Sequence, residues 1–298
     1  MAQDGADVAL TEVAVLFECL GEELVGIVCV PERLECRFGI LVIVGGPQYR
    51  VGSHRQFVLL TRELARRGIA CMRFDYRGMG DATGPALPFD AAAPDIRAAI
   101  DNFRAHAPGI AGVVLWGLCD GATAACLYAP LDARVRGMVL LNPWVRTPTT
   151  EARAMLRHHY LERLLDRTFW LRLLRGRVAI AAAIAGLARY AHEWLIGERP
   201  ARRVGAGGTL PDAMARCVGR SNAWFTIGLS GRDYVAREFD QVMSRPEWAA
   251  LIGGPRALGV ECWPSADHTF SSRTWRDPIA DMSERAVREV ERQDIGGS

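Results

Sequence analysis

VVLWGLCDG, residues 113–121, is the stretch of sequence that decides the fold. Four apolar residues run directly into a Gly-Leu-Cys-Asp-Gly turn, and the ATAACLYA segment that follows favours a helix. A short, continuous apolar run is typical of a strand that is buried on both faces. The stretch is therefore predicted to be a buried strand, a sharp turn and a helix that begins at Asp120. Cys119 lies at the centre of the turn.

The same alternation of apolar runs and amphipathic segments extends along most of the chain. The predicted strands after the amino-terminal region are 39–44, 69–74, 112–116, 137–141, 223–229 and 258–263. The predicted helices are 53–67, 89–107, 120–129, 234–250 and 273–292. Two earlier strands, 13–19 and 24–30, flank a Gly-Glu-Glu turn and form an antiparallel hairpin. The pattern predicts an α/β fold with a mostly parallel, doubly wound sheet.

The alternation stops between residues 144 and 219, where helical segments occur without convincing strands. We therefore predict a core formed by residues 1–143 and 220–298, and a helical cap inserted at 144–219. Residues 146–203 contain twelve Arg against five acidic residues. This face could guide an anionic carrier of the substrate or could simply be solvated. The longest apolar run, 178–188, is too short to span a bilayer as a helix. It could still lie against a membrane surface, so peripheral membrane contact through the cap stays open.

The composition excludes several classes of function. Half of the 298 residues are apolar, so the chain can bury a large core, and a net charge of +2 gives no reason to expect a nucleic-acid partner. Every basic residue is Arg, which excludes Schiff-base chemistry by Lys. No phosphate-binding Gly motif follows the first core strand and no CxxC pair occurs, so neither a cofactor nor a metal is expected.

The amino-terminal residues and the cysteines bear on the compartment. MAQDGADVAL has neither a basic nor an apolar segment of a signal peptide. Most of the eight cysteines lie within apolar runs, as buried and reduced thiols do. The predicted location is the cytoplasm, and the oligomeric state is left open.

The turn at residues 117–121 fits the pattern Gly-x-nucleophile-x-Gly, with Cys119 as the nucleophile. Such a turn strains the central residue, and the two glycines avoid backbone collisions. A turn around an inert thiol would show the same five letters. The strand before it and the helix after it favour the nucleophile, because the dipole at a helix amino terminus stabilises a thiolate.

An acid and then a histidine are expected after later strands, in this order along the chain. Asp233 follows the seventh predicted strand and His268 follows the eighth. We expect Asp233 to orient the imidazole and His268 to take the proton of Cys119. Asp233 could instead cap the next helix. Asp267 is a rival acid, although its adjacency to His268 gives poor geometry for orienting the ring.

Two backbone N–H groups should stabilise the oxyanion. One belongs to Asp120, directly after the nucleophile, and the other to the Gly-Gly-Pro-Gln loop after the first core strand. Proline cannot donate, so the second donor is Gln48 or Gly46, with Gln48 preferred because it lies beyond the turn. The glycine pair could also merely permit the bend. The predicted pocket residues are His54, Leu118 and Trp144.

Five segments together resemble the α/β-hydrolase superfamily, and more narrowly the exosortase A system-associated hydrolase 1 family. They are VGGPQYRVGSHRQF (44–57), RFDYRGMGDATG (73–84), GLCDGA (117–122), LLNPWVRT (140–147) and LSGRDYVAREF (229–239). The resemblance implies a bacterial enzyme associated with exopolysaccharide export and the sorting of surface proteins. It also implies that Asp75 and Arg77 brace the loop beside the site. The Cys-His-Asp set is similar, more weakly, to dienelactone hydrolase and polyester synthase.

The expected reaction is cleavage of an ester or thioester through an acyl thioester on Cys119. The substrate is a small-molecule or carrier-linked acyl group, and the carrier could be an acyl-CoA, an acyl carrier protein or a lipid-linked sugar. Passing the acyl group to an acceptor other than water would require the same residues. A binding or assembly factor that keeps only the fold is a further alternative, against which the intact acid and histidine argue.

Overall fold

An eight-stranded sheet lies at the centre of the protein. The computed structural model describes residues 10–45, 48–145 and 208–296. The strands are β1 (Leu10–Cys19), β2 (Glu22–Pro31), β3 (Phe38–Ile43), β4 (Cys71–Phe74), β5 (Gly112–Leu118), β6 (Val135–Leu141), β7 (Trp224–Ser230) and β8 (Ala257–Trp263). The described helices are α1 (Gln56–Arg66), α2 (Ala93–His106), α3 (Asp120–Tyr128), α4 (Leu210–Arg220), α5 (Tyr234–Met243), α6 (Pro246–Ile252) and α7 (Arg273–Gly296).

The strand order is β1-β2-β4-β3-β5-β6-β7-β8. The first two strands form an antiparallel hairpin, and β2 pairs antiparallel with β4. All later pairings are parallel. The apolar runs of β3, β4 and β5 are buried along their whole length, as strands covered on both faces must be. The predicted α/β-hydrolase fold, with its mostly parallel sheet and amino-terminal hairpin, is confirmed.

Trp116 shows how the helices attach to the sheet. Its ring makes an edge contact with Phe57 of α1, with the ring centroids 5.7 Å apart. Its indole N–H donates to Ser283 Oγ of α7 at 3.0 Å. Because α1 and α7 also contact each other, they cover this part of the sheet together, while α3 packs against α2. Helices on both faces make the sheet doubly wound.

The helix predicted at 234–250 is wrong as a single element. The chain forms two helices, α5 and α6, which are interrupted at Ser244 and Arg245. Arg245 is extended, with φ −71° and ψ 147°. Pro246 causes the break, because proline lacks an N–H and disfavours helical geometry in the residue before it.

The insertion was predicted to end at residue 219, but the boundary between the two compact units of the chain lies at Leu210. One unit consists of Met1–Val145 and Pro211–Ser298, so nearly all of α4 belongs to it. Trp248 donates its indole N–H to the carbonyl oxygen of Pro211 at 3.1 Å, and Met214 is fully buried. The predicted cap helices and their Arg face lie at 146–207, outside the described residues. Within the described ranges, no helix is long and apolar enough to cross a membrane.

The turn between β5 and α3 depends on a close approach of three backbone segments. A Cβ atom on Gly121 would lie 2.3 Å from the carbonyl oxygen of Ile43, at the end of β3. A Cβ atom on Gly117 would lie 2.5 Å from the amide nitrogen of Ala122. Both distances are far inside van der Waals contact, and the obstructing atoms belong to the backbone. Glycine at these two positions is therefore what allows α3 to start beside β3 and β5.

Gly121→Ala should lower the free energy of unfolding by about 2–4 kcal/mol, because the new methyl group must displace backbone at the sheet. Gly219→Ala is the matched control. Gly219 also lies in a helix, but its added Cβ would meet only Leu251 Cδ2, at 3.6 Å. That variant should be unchanged or more stable by up to about 1 kcal/mol, from helix propensity. Urea denaturation measures both, and equal stability of the two variants would contradict the role given to Gly121.

Candidate active site

The carboxyl ends of five parallel strands meet at one edge of the sheet. The register places the ends of β3 and β5 side by side, followed by those of β6, β7 and β8. Ligands of open α/β sheets bind at this edge. Cys119 directly follows β5, Asp233 follows β7, and His268 follows β8. The topology therefore brings the three predicted catalytic residues to the same edge.

Cys119 has a strained backbone, with φ 60° and ψ −126°. A positive φ is uncommon for a residue with a Cβ atom and persists only where its surroundings enforce it. Its N–H donates to the carbonyl oxygen of Leu141 at 2.9 Å, and its own carbonyl accepts from Ala122 at 3.0 Å and Trp144 at 3.2 Å. The residue is partly exposed. The turn thus presents the thiol at the edge of the sheet, at the amino terminus of α3.

Asp233 and His268 form a short hydrogen bond. Nδ1 of His268 lies 2.7 Å from Oδ2 of Asp233, and Cys119 is the second residue whose interaction raises the pKa of the imidazole. The buried Asp233 carboxylate in addition accepts the N–H groups of Val235 (3.1 Å) and Ala236 (3.2 Å) at the start of α5. Asp233 therefore serves as helix cap and as imidazole partner at once. The cap bonds fix the carboxylate that orients the ring.

The hydrogen bonds shift the pKa values of Asp233 and His268. The bond with Asp233, followed by the bond with Cys119, raises the pKa of His268 to about 10, although burial opposes the shift. Burial alone would raise the pKa of Asp233, but its hydrogen bonds, first of all that with His268, hold the pKa below its ordinary value. At neutral pH the pair is therefore an imidazolium beside a carboxylate.

The carboxylate of Asp267 braces its own loop. It accepts the N–H groups of Thr269 at 3.2 Å and Ser271 at 3.0 Å, and the hydroxyl of Ser271. These bonds shape the turn that carries His268. They leave Asp233 as the carboxylate that is bonded to the imidazole.

Asn142 is a site residue that the sequence did not reveal. It directly follows β6, is fully buried and has a φ of 44°. Its carboxamide donates to Ser230 Oγ at 2.9 Å and to the carbonyl oxygen of His268 at 3.0 Å, and it accepts the Ser230 N–H at 2.9 Å. Asn142 thereby ties the end of β7 and the histidine loop to β6. Asparagine tolerates this left-handed conformation better than most residues. An asparagine directly after a strand is the only feature of the local sequence that could have pointed to this position.

Of the predicted oxyanion donors, Asp120 directly follows Cys119 in the chain. Asp120 is the first residue of α3, and a Cβ atom on Gly45 would lie 2.2 Å from its Oδ1. The loop that follows β3 therefore starts directly against the turn at Cys119. Gln48 lines a cavity of ≈ 570 Å³ together with Asp120, and we call it the Tyr76 cavity after a third lining residue. Gly46, the alternative donor, lies outside the described residues.

Ion pairs hold the loop that carries Gln48. The buried carboxylate of Asp75 accepts the N–H of Arg50 at 2.6 Å and also pairs with its guanidinium group. Arg50 pairs in addition with Asp81 at 2.6 Å. Arg77 donates to Asp95 of α2 at 2.6 Å. Asp75 thus braces the Gln48 loop directly, and Arg77 holds the segment after β4 to α2.

The three predicted pocket residues take different places. His54 is exposed, with φ 52°, ahead of α1. Leu118 is buried at the end of β5. Trp144 is partly exposed, and its carbonyl oxygen accepts the hydroxyl of Thr123 at 2.7 Å. None of the three lines the Tyr76 cavity or the smaller cavity between α1 and α7, which are the two described cavities.

Replacing Asp233 should change the titration of His268. The pKa of His268 is raised from 6.5 to about 10, so the protonated ring stabilises the fold below 6.5, and this contribution is lost as the pH rises towards 10. Asp233→Asn removes the carboxylate that is the main cause of the raised pKa, so His268 should titrate at lower pH. The loss of folding stability between pH 6.5 and 10 should then be smaller than in the wild type. Nuclear magnetic resonance of the imidazole protons measures the first effect and thermal unfolding the second.

Asp267→Asn is the control for that titration, because its carboxylate lies next to His268 in sequence but bonds to its own loop. The pKa of His268 in this variant should stay close to that of the wild type. An equal fall of the pKa in both variants, or no fall in Asp233→Asn, would contradict the assignment.

Asn142→Ala should lower the free energy of unfolding by about 2–4 kcal/mol, because it leaves buried partners unpaired and places alanine at a positive φ. The control is Asn222→Ala, an exposed residue that accepts one bond from Arg256 at 3.2 Å. The control should change stability by no more than about 0.5 kcal/mol. Chemical denaturation compares them, and an Asn142 variant as stable as the Asn222 variant would refute the tie between the strands.

Comparisons with known proteins agree with this architecture. The esterase Pf2001 of Pyrococcus furiosus superposes with a TM-score of 0.61 at 14% identity, over 93% of this chain and 94% of the esterase. A hydrolase of unassigned activity from Agrobacterium vitis gives 0.58 at 15% identity, over 94% and 99% of the two chains. The dienelactone hydrolase of Anabaena variabilis gives 0.57 at 14% identity, over 94% and 98%. At these identities the likeness establishes the fold.

The sequence itself identifies the family. A comparison with curated protein sequences finds no significant relative. The model of the α/β-hydrolase family described as serine aminopeptidase, S33, matches residues 38–238. The match starts at β3 and ends in α5, and so covers the nucleophile turn and Asp233. The chain belongs to this family of hydrolases, with a cysteine at the centre of the turn between β5 and α3.

Proposed function

We propose that the protein is an acyl hydrolase that cleaves ester or thioester bonds, with Cys119 as nucleophile, His268 as acid and base, and Asp233 as the carboxylate that orients the ring. The observation that carries the proposal is the 2.7 Å hydrogen bond between Asp233 and His268, whose pKa is also raised by its interaction with Cys119. The Cys119 thiol is held at a strained turn. A fold kept only for binding would not need this arrangement.

The first half of the cycle forms the acyl enzyme. In the reactive form of the site a Cys119 thiolate faces a protonated His268, whose pKa is raised to about 10. The sulfur of Cys119 attacks the carbonyl carbon, and a C–S bond forms while the carbonyl oxygen becomes negatively charged. The N–H groups of Asp120 and Gln48 stabilise that oxygen. As the intermediate collapses, the bond to the leaving oxygen or sulfur breaks and the imidazolium gives it a proton.

The second half releases the acyl group. His268, now neutral, takes a proton from water, and the resulting nucleophile attacks the thioester carbonyl. The C–S bond breaks, the carboxylic acid leaves, and Cys119 departs as a thiolate beside the reprotonated imidazole. Membership of a hydrolase family favours water as the acceptor. The thioester is energetic enough to pass the acyl group to another nucleophile in the same position.

The biological setting of the reaction is a proposal that rests on the sequence alone. The five segments that resemble exosortase-associated hydrolases favour a role beside exopolysaccharide export. The excess of Arg at residues 146–203 favours an anionic, carrier-linked acyl substrate, and contact of this segment with a membrane surface is compatible with it. Charge reversal at several of these Arg residues should then weaken the salt dependence of activity.

The experiment that tests the proposed function is intact-mass analysis after incubation with a panel of acyl thioesters and para-nitrophenyl esters. The wild type should gain the mass of one acyl group, located at Cys119 by peptide mapping. Cys119→Ala should gain none, and its kcat/KM should fall by about 10⁴-fold or more, as for loss of other catalytic nucleophiles.

Cys262→Ala is the matched control, because Cys262 is the exposed thiol of the chain and lies on β8. It should keep both the adduct and the activity. An adduct that disappears with Cys262, or Cys119→Ala with wild-type kcat/KM, would overturn the proposed function.

A further inference from the structure

The Tyr76 cavity starts at the proposed oxyanion site. Gln48 and Asp120, the two residues whose N–H groups we assign to the oxyanion, both line it. At ≈ 570 Å³ it is large enough for a chain of several carbon atoms. Most of its remaining wall is apolar, from Val44, Met79, Leu87, Pro88, Phe89 and Ala92. A substrate whose carbonyl oxygen occupies the oxyanion site can therefore extend one half into this cavity.

Two buried polar atoms in this wall have no partner. The hydroxyl of Tyr76 and Oε1 of Gln48 are shielded from solvent and make no hydrogen bond to the described part of the chain. Tyr76 as a residue is only 6% exposed. A buried polar group without a partner costs about 1–3 kcal/mol, so such a group in a cavity wall marks a position that a ligand can satisfy.

The Tyr76 hydroxyl remains a donor at any physiological pH. Burial, and then the carboxylates of Asp120 and Asp95, raise the pKa of Tyr76 well above its ordinary value. Phe74 packs edge-on against the ring, with the centroids 5.0 Å apart. This contact holds the ring at the cavity wall, where the Tyr76 O–H has no acceptor and Gln48 Oε1 has no donor in the described part of the chain.

The charges around the cavity decide between classes of ligand. Its described lining residues include the acids Asp95 and Asp120 but no Arg, so an anionic group would be repelled. Asp95 is already paired with Arg77 and accepts the Cys19 thiol at 3.2 Å, which leaves little attraction for a second cation. A neutral group that both donates and accepts fits best, and the hydroxyl group has this chemistry.

We propose that the Tyr76 cavity binds a neutral aliphatic chain that carries a hydroxyl group, and that Tyr76 and Gln48 are the residues that recognise this hydroxyl. The inference rests on the proposed function, because it places the scissile carbonyl at Asp120 and Gln48. The hydroxylated chain is either the acyl half of the substrate or its alcohol half. Both halves offer the same chemistry to the cavity.

The test compares hydroxylated with plain substrates in the wild type and in Tyr76→Phe. The acyl half is probed with para-nitrophenyl hexanoate and hydroxyhexanoates, and the alcohol half with hexanoate esters of hexanol and hexanediol. In one of the two arms the wild type should prefer the hydroxylated member by about tenfold in kcat/KM, which corresponds to one hydrogen bond in a closed site. Tyr76→Phe should lose this preference, so that its kcat/KM values for the hydroxylated and the plain substrate become equal within about twofold.

The control for the fold is Tyr128→Phe, another buried tyrosine, whose hydroxyl donates to Asp132 at 2.8 Å. This variant loses a satisfied bond and should be less stable with unchanged selectivity. Tyr76→Phe removes an unpaired hydroxyl and should be at least as stable as the wild type. No preference in either arm, or a preference that survives in Tyr76→Phe, would overturn the inference.

Binding of hexanediol and hexanol, followed by shifts of the Gln48 side-chain amide signals, provides a readout that does not need turnover. Tighter binding of the diol that is lost in Tyr76→Phe supports the cavity assignment even if no ester is cleaved. Equal binding of the two alcohols would overturn it. Ester cleavage by Cys119→Ala at the wild-type rate would instead refute the proposed function.

Discussion

The contact between the start of α3 and the end of β3 is the constraint on which the site depends. No side chain fits between Gly121 and the carbonyl oxygen of Ile43, so the helix starts directly against the sheet. The chain can make this approach only by turning sharply at Cys119, which accepts a positive φ as the cost. The same approach brings the loop after β3 against Asp120. The proposed nucleophile and the loop that carries the proposed oxyanion donor are thus positioned by one piece of backbone packing.

The rest of the site reaches this turn through long-range polar contacts. Asn142 bonds to Ser230, 88 positions away, and to the carbonyl of His268, 126 positions away. Asp233 orients His268 from the cap of α5. The sequence predicts that His268 takes the proton of Cys119, and the raised pKa of His268 is in keeping with a protonated imidazole at neutral pH.

The fold could be predicted because buried parallel strands are short apolar runs. The order Cys119, Asp233, His268 along the chain pointed to the strand ends at which the proposed catalytic residues lie. The break before Pro246 was visible in the sequence, but the amphipathic pattern continues across it and suggested one helix. The roles of Asn142 and Tyr76 could not be predicted from the sequence, because each is a single polar residue after a strand. Their roles come from partners, or from a cavity, that only the folded chain assembles. The insertion was predicted to end at residue 219, but nearly all of α4 belongs to the core unit. No strand separates α4 from the insertion, so the strand pattern of the sequence could not mark this boundary.

The central claim is that catalysis passes through a thioester on Cys119. Carbon-13 nuclear magnetic resonance of a reaction with carbonyl-labelled substrate, quenched with acid during turnover, tests it most directly. The account predicts a protein-bound carbonyl signal with the chemical shift of a thioester in the wild type, and its replacement by an ester signal in Cys119→Ser. Label that passes to the product acid with no protein-bound thioester, under conditions in which acylation is faster than deacylation, would contradict it.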